Sequence, residues 1–109
     1  MPGARKQRPR VIGDVSIYPI GEGTSLGEYV RAASKAMARV PGIRLVPGPM
    51  STAVEADNLS TIFLAVTKAH ASLLRMGAQR VAIQLRIDHR LDKPETIEYK
   101  VGRIQAHGI

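Results

Sequence analysis

Val11, Gly13, Val15 and Ile17 alternate with Ile12, Asp14, Ser16 and Tyr18, the period of two that belongs to a strand with one buried face. A first strand is predicted there. Residues 19–23 end it, and Ser25 followed by Glu28 has the spacing of a capping box, which predicts a helix start. Leu26, Tyr29, Val30, Ala33, Met37 and Val40 recur at helical intervals and form one apolar stripe, with Arg31, Lys35 and Arg39 lying away from it. Pro41 and Gly42 stop that helix.

Residues 43–46 are β-compatible, residues 47–49 are a dense Pro-Gly-Pro turn signal, and residues 50–56 form a second extended run, so a hairpin is predicted. In the second run Met50, Thr52, Val54 and Ala56 share one face, and Ser51, Ala53 and Glu55 share the other. Asp57 or Asn58 caps a second helix in which Leu59, Ile62, Phe63, Val66, Ala69, Leu73 and Leu74 face inward, and Gly77 is its C′ residue. Val81, Ile83, Leu85 and Ile87 then alternate with Ala82, Gln84, Arg86 and Asp88 in the clearest strand of the chain. Pro94 suits the first turn of a short tail helix in which Ile97, Val101 and Ile104 share a side.

The element order is β-α-β-β-α-β plus a tail, the split βαβ pattern of an α+β, ferredoxin-like sandwich. Right-handed crossovers place the strands in the order 4-1-3-2, with both helices on one face. The other face is predicted to be bare and to hold Asp14, Ser16, Tyr18, Ser51, Glu55, Gln84 and Arg86 among its residues. No lysine lies in these strands, and small residues let another surface approach closely, so self-association or ligand burial is expected there.

Composition narrows the function classes. A chain of 109 residues with 44% hydrophobic and 23% charged residues fits one folded domain. There is no cysteine, which excludes disulfides, thiolate nucleophiles and cysteine-held metals. The histidines form no pair at i, i+4, so no metal site is expected. No apolar stretch approaches a membrane span, and a cytoplasmic protein without membrane attachment is expected. The net charge is +7, but Arg5, Lys6, Arg8 and Arg10 supply four of those charges within residues 1–10, where no acid occurs. The predicted organisation is a flexible basic arm, 1–10, and a single domain, 11–109. The aromatic residues Tyr18, Tyr29, Phe63 and Tyr99 are scattered rather than interleaved with cations, which disfavours nucleic acid. A basic interaction module holding RNA or an acidic protein is the alternative function at this stage.

Enzyme signatures are missing. Gly21, Gly23 and Thr24 match neither a Walker loop nor the dinucleotide fingerprint. No serine elbow is present, and Asn58, the only asparagine, is better used as a cap than in an acylphosphatase-like site. No catalysis and no cofactor are expected.

The run from Val15 to Gly21, followed by Gly23-Thr24-Ser25 and Glu28-Tyr29-Val30, resembles the opening of the YkoF-like thiamine-binding family. The run from Pro49 to Asp57 is similar to that family's third strand, and the segment from Ala69-His70 to Val81 to its second helix and turn. The run from Ile87 to Lys93 is similar to its closing segment. The likeness covers about residues 11–104. It implies a ferredoxin-like subunit pairing into homo-oligomers, dimers or tetramers, that binds thiamine or its hydroxymethylpyrimidine moiety without catalysis, in thiamine salvage or transport.

On that resemblance the candidate ligand residues are Glu55, Ser51, Thr52, Asp88, Ser25 and Tyr29. A strand carboxylate such as Glu55 accepts hydrogen bonds from an aminopyrimidine and offsets a thiazolium charge. A Glu55 to Arg86 pair across the sheet is the competing reading. Asp88 is a second acceptor or a turn-forming aspartate. Alternation sends Ser51 and Thr52 to opposite faces, with Ser51 on the favoured one. Ser25 doubles as the helix cap, and Tyr29 lies on the stripe of core residues.

Overall fold

The two period-two segments form the longest strands of the computed structural model, which describes residues 10–106: β1 (Val11–Pro19) and β4 (Val81–His89). Between them come α1 (Gly27–Ala38), β2 (Arg44–Pro47), β3 (Thr52–Ala56) and α2 (Leu59–Arg75), and α3 (Ile97–Gln105) follows. The sheet order is β2-β3-β1-β4 with every neighbour antiparallel. This is the ferredoxin-like α+β arrangement with its 4-1-3-2 order read from the opposite edge. Of the basic arm, residues 1–9 lie outside the described residues. Arg10 is described, and its guanidinium is docked on Glu55 and Asp57.

The core is aliphatic, as the low aromatic content requires. Ala33 and Met37 of α1 and Ile62, Ala65, Ala69 and Leu73 of α2 are buried against Val11, Val15, Val54 and Ala56. Gly42 and Gly77 follow the first two helices with positive φ values of 85° and 94°, the left-handed conformation a helix exit uses and β-carbons oppose. Asn58 caps α2, its side chain accepting from the Thr61 N–H at 2.9 Å.

Four sequence expectations need correction. The capping box at Ser25 and Glu28 is not made: α1 begins at Gly27, its N-cap position is Leu26, and no side chain bonds there. The tail helix starts later than Pro94, because Thr96 supplies the cap and accepts from the Tyr99 N–H at 3.1 Å. The α2 stripe is displaced: Ile62, Ala65, Ala69 and Leu73 turn inward, whereas Phe63 and Leu74 are each 50% exposed. A helix buries only about a third of its circumference against a sheet, and the small alanines take the contact. Finally, Ile83 and Ile87 of β4 are 40% and 37% exposed, because the helices sit over β1 and β3 and leave the outer strand partly uncovered.

The bare face is only half bare. α3 folds back over one end of it and buries Ile12, Glu55 and Ile97 there. Over the far end, with Asp14, Ser16, Tyr18, Gln84 and Arg86, no helix lies among the described residues.

Candidate functional site

Strand length creates the cleft. β1 pairs with β4 along all nine residues, from Val11↔His89 to Pro19↔Val81, but with β3 only from Val11 to Val15. Beyond Val15 no strand among the described residues lies beside the edge of β1 that faces away from β4. Antiparallel strands expose alternating N–H and C=O groups along such an edge. The Pro-Gly-Pro turn explains the short partner: its prolines cannot donate to a ladder, and Gly48 instead donates to the Ser51 carbonyl at 2.9 Å to close the β2–β3 loop.

A cavity of about 1110 Å³ occupies this gap. Its walls are the end of β1, the β2–β3 loop, the α1 residues Val30, Ala33 and Met37, and Gln84 and Arg86 of β4. One wall is apolar and the other carries the polar residues of the open face. Pockets with an apolar body and a few convergent polar groups are the usual setting for small organic ligands.

Among the described residues, Asp14 is the only carboxylate lining the cavity. It faces Arg86 directly across the β1–β4 ladder, and the guanidinium donates twice, from Nη2 at 2.8 Å and Nε at 3.2 Å. The Ser51 hydroxyl lies 3.4 Å from the same carboxylate. The hydrogen bonds from Arg86 hold the Asp14 carboxyl below the usual range against the smaller, opposing effect of burial. The cavity therefore presents an ionised carboxylate throughout neutral pH.

A pH dependence follows. With its folded pKa depressed, Asp14 contributes stability above its ordinary value of about 3.9, and that contribution is lost as pH falls through the lowered value. Arg86→Ala is expected to return the Asp14 titration to the ordinary range, read as an upward shift in the carbon NMR pH curve of that carboxyl. An unmoved curve would show that Arg86 is not the cause.

Ser51 and Thr52 line the cavity; the other four sequence candidates do not. Glu55, only 4% exposed, lies at the α3 end of the open face. There it accepts from the Ile97 N–H at 2.8 Å and from Arg10 Nε at 2.7 Å, with Arg44 Nη1 3.6 Å away. The competing Glu55 to Arg86 pair is not formed, since Arg86 pairs with Asp14. Asp88 stands on the same cross-strand row as Glu55, with Ile12 between them, and it is bonded to Lys100. Ser25 is exposed in the loop before α1, and the Tyr29 hydroxyl donates to Glu22 at 2.8 Å.

Asp14, Ser16, Gln84 and Arg86 were legible as open-face residues but not as ligand candidates. An aspartate in the middle of an otherwise apolar strand, opposite an arginine, was the available signal. Among the described residues, no three His, Asp or Glu side chains cluster as metal ligands, and no helix is long and apolar enough to cross a membrane.

Comparison with known proteins converges on one family. A UPF0045 protein of Methanocaldococcus jannaschii is 36% identical over 95 residues, covering 87% of this chain and 92% of that one. A UPF0045 protein of Synechocystis is 32% identical over 102 residues, 94% of this chain and 83% of that one. A crystal structure of the M. jannaschii protein superposes with a TM-score of 0.81 over 88% of this chain and 96% of that one, at 34% identity. A Thermotoga maritima protein, provisionally described as one of thiamine biosynthesis or salvage, superposes with a TM-score of 0.71 at 28% identity, over 88% of this chain and 99% of that one. The family model described as "Thiamine-binding protein" matches residues 13–105. With strand order, helices and cleft spanned by that match, the chain belongs to the thiamine-binding protein family.

Proposed function

We propose that this protein binds thiamine or its hydroxymethylpyrimidine moiety, without catalysis, as a homo-oligomer serving thiamine salvage, transport or homeostasis. The observation that carries the reading is the notch beside the free edge of β1. An aminopyrimidine presents a ring nitrogen acceptor next to an amino donor, the complement of neighbouring C=O and N–H groups on an unpaired strand edge. Asp14 supplies an ionised acceptor, Ser51 adds a hydroxyl, and Val30 and Met37 give the ring an apolar wall.

Assembly is supported by the outer strand. β4 is nine residues long, is unpaired on one side among the described residues, and shows Ile83 and Ile87 to solvent. A long edge strand with exposed apolar side chains is a template on which a second chain can pair.

Isothermal titration of the full chain with thiamine and with hydroxymethylpyrimidine, beside light scattering, tests both parts. Saturable binding and a mass above one chain are expected. Asp14→Asn is expected to weaken thiamine binding about tenfold or more, roughly 1.4 kcal/mol, while Glu55→Gln leaves it within about twofold. Silence with both ligands overturns the binding reading. Loss on Glu55→Gln alone moves the site to the α3 end.

A further inference from the structure

The charges of this chain are segregated. It has nine Asp and Glu residues, all described, and eight of them are engaged. These eight carboxylates lie on the sheet, on α3 and in the loops. α2 contains no acidic residue, and α1 contains only Glu28. The same helices carry Arg31, Lys35, Lys68 and Arg75, with Arg39 as the C-cap of α1. Among the described residues none of these five cations has a carboxylate partner. Like charges left unpaired on one surface repel each other and favour association with the opposite sign.

Three of the five converge on one concavity. A cavity of about 360 Å³ lies between the end of α1 and the flank of α2, lined by Arg39, Lys68 and Arg75 with Val40, Pro41 and Leu64. Leu64, Lys68 and Arg75 are four and eleven residues apart, close to whole turns of a helix, so they share one side of α2. Leu64 is 46% exposed, a branched aliphatic side chain set among cations with no carboxylate in the lining. Arg39 and Arg75 also complement the carbonyl ends of their helices. Lys68, in the interior of α2, has no such local reason to be there.

We propose that this notch docks an acidic amphipathic segment of a partner protein. An apolar side chain of the segment seats against Leu64, Val40 and Pro41, and its carboxylates meet Arg39, Lys68 and Arg75. The apolar residues line a depression rather than a protruding ridge, which suits an inserted side chain better than a flat lipid surface. Stacking on nucleic acid bases has no platform here, since among the described residues no aromatic side chain lines the cavity. A compact anion is disfavoured by the helix carbonyl ends nearby, whereas carboxylates spaced along a peptide reach each cation separately. The notch shares no residue with the cleft beside β1, so the inference is independent of thiamine binding.

The test uses the full chain and a fluorescein-labelled amphipathic helix of leucine and glutamate, with fluorescence anisotropy as the readout. Saturable binding is expected, weakened about tenfold or more by Lys68→Glu and by Leu64→Asp, both at exposed positions. Arg103→Glu removes the same charge from α3 and is expected to change affinity by about twofold or less. Thiamine titration and the melting temperature of Lys68→Glu are expected to match the parent, which separates failure here from failure of the cleft. Absence of peptide binding overturns the proposal, as does equal weakening by Lys68→Glu and Arg103→Glu, which reports attraction to net charge alone. Phosphatidylserine vesicles or single-stranded RNA that depend on Lys68 where the peptide does not also overturn it.

Discussion

Glu55→Ala is expected to destabilise the protein by about 2–3 kcal/mol and to release α3 from the sheet. The carboxylate is buried on the open face, accepts the first free N–H of α3 at Ile97, and neutralises Arg10 while standing beside Arg44. Removing it strands a buried N–H and leaves Arg10 to Asp57 alone and Arg44 to Glu98 alone. Both arginines are partly exposed and can rehydrate, so the loss falls below that of a fully buried broken pair. Negative charge at a helix N-terminus is favourable as well, so α3 loses its electrostatic anchor and its hydrogen bond together. Glu55→Gln keeps an acceptor near Ile97 and is expected to lose about half as much. Urea denaturation gives the stability change, and amide exchange at Ile97 reports the release. Unchanged protection at Ile97 in Glu55→Ala would mean that α3 is held by its apolar contacts alone.

The same residue marks the boundary of what the sequence discloses. Alternation in residues 11–18 and 81–88 predicted both long strands and their faces, because a strand that buries one face writes its period into neighbouring residues. Asn58 and Gly77 bounded α2 through contacts made within a few residues. Glu55 was correctly placed on the open face, yet its bond to Ile97 spans 42 positions, and no local pattern encodes it. The cleft was hidden for a similar reason. It arises from the difference in length between β1 and β3, a relation between segments, whereas each segment alone reads as an ordinary strand. Phe63 misled because its size argued for the core. Which side of α2 meets the sheet is decided by helix packing, and there the alanines fit closer.

Gly13→Val is expected to be the more damaging change to the cleft, although Gly13 does not line it. Gly13 sits on the helix-covered face of the central strand, opposite Val54 on one side and Ile87 on the other. A β-carbon built there would lie 2.6 Å from the Arg86 carbonyl oxygen and 2.9 Å from Ile87 Cδ1. The isoleucine can rotate; the carbonyl belongs to the ladder and cannot move without carrying β4 away from β1. The intrinsic strand preference of valine, within a scale of about 1 kcal/mol, does not offset this overpacking, and a loss of about 3 kcal/mol is expected. Displacing β4 at Arg86 also draws the guanidinium from Asp14, so thiamine binding is expected to fall with stability. Gly102→Ala, at a helical position with nothing within 4 Å of the added carbon, is expected to stabilise by about 0.5–1 kcal/mol. Chemical denaturation of both variants with thiamine titration of Gly13→Val checks the argument. A Gly13→Val protein with parental stability and affinity would mean that the outer strand yields freely, and that the pairing of β1 with β4 does not set the geometry of the Asp14 to Arg86 contact.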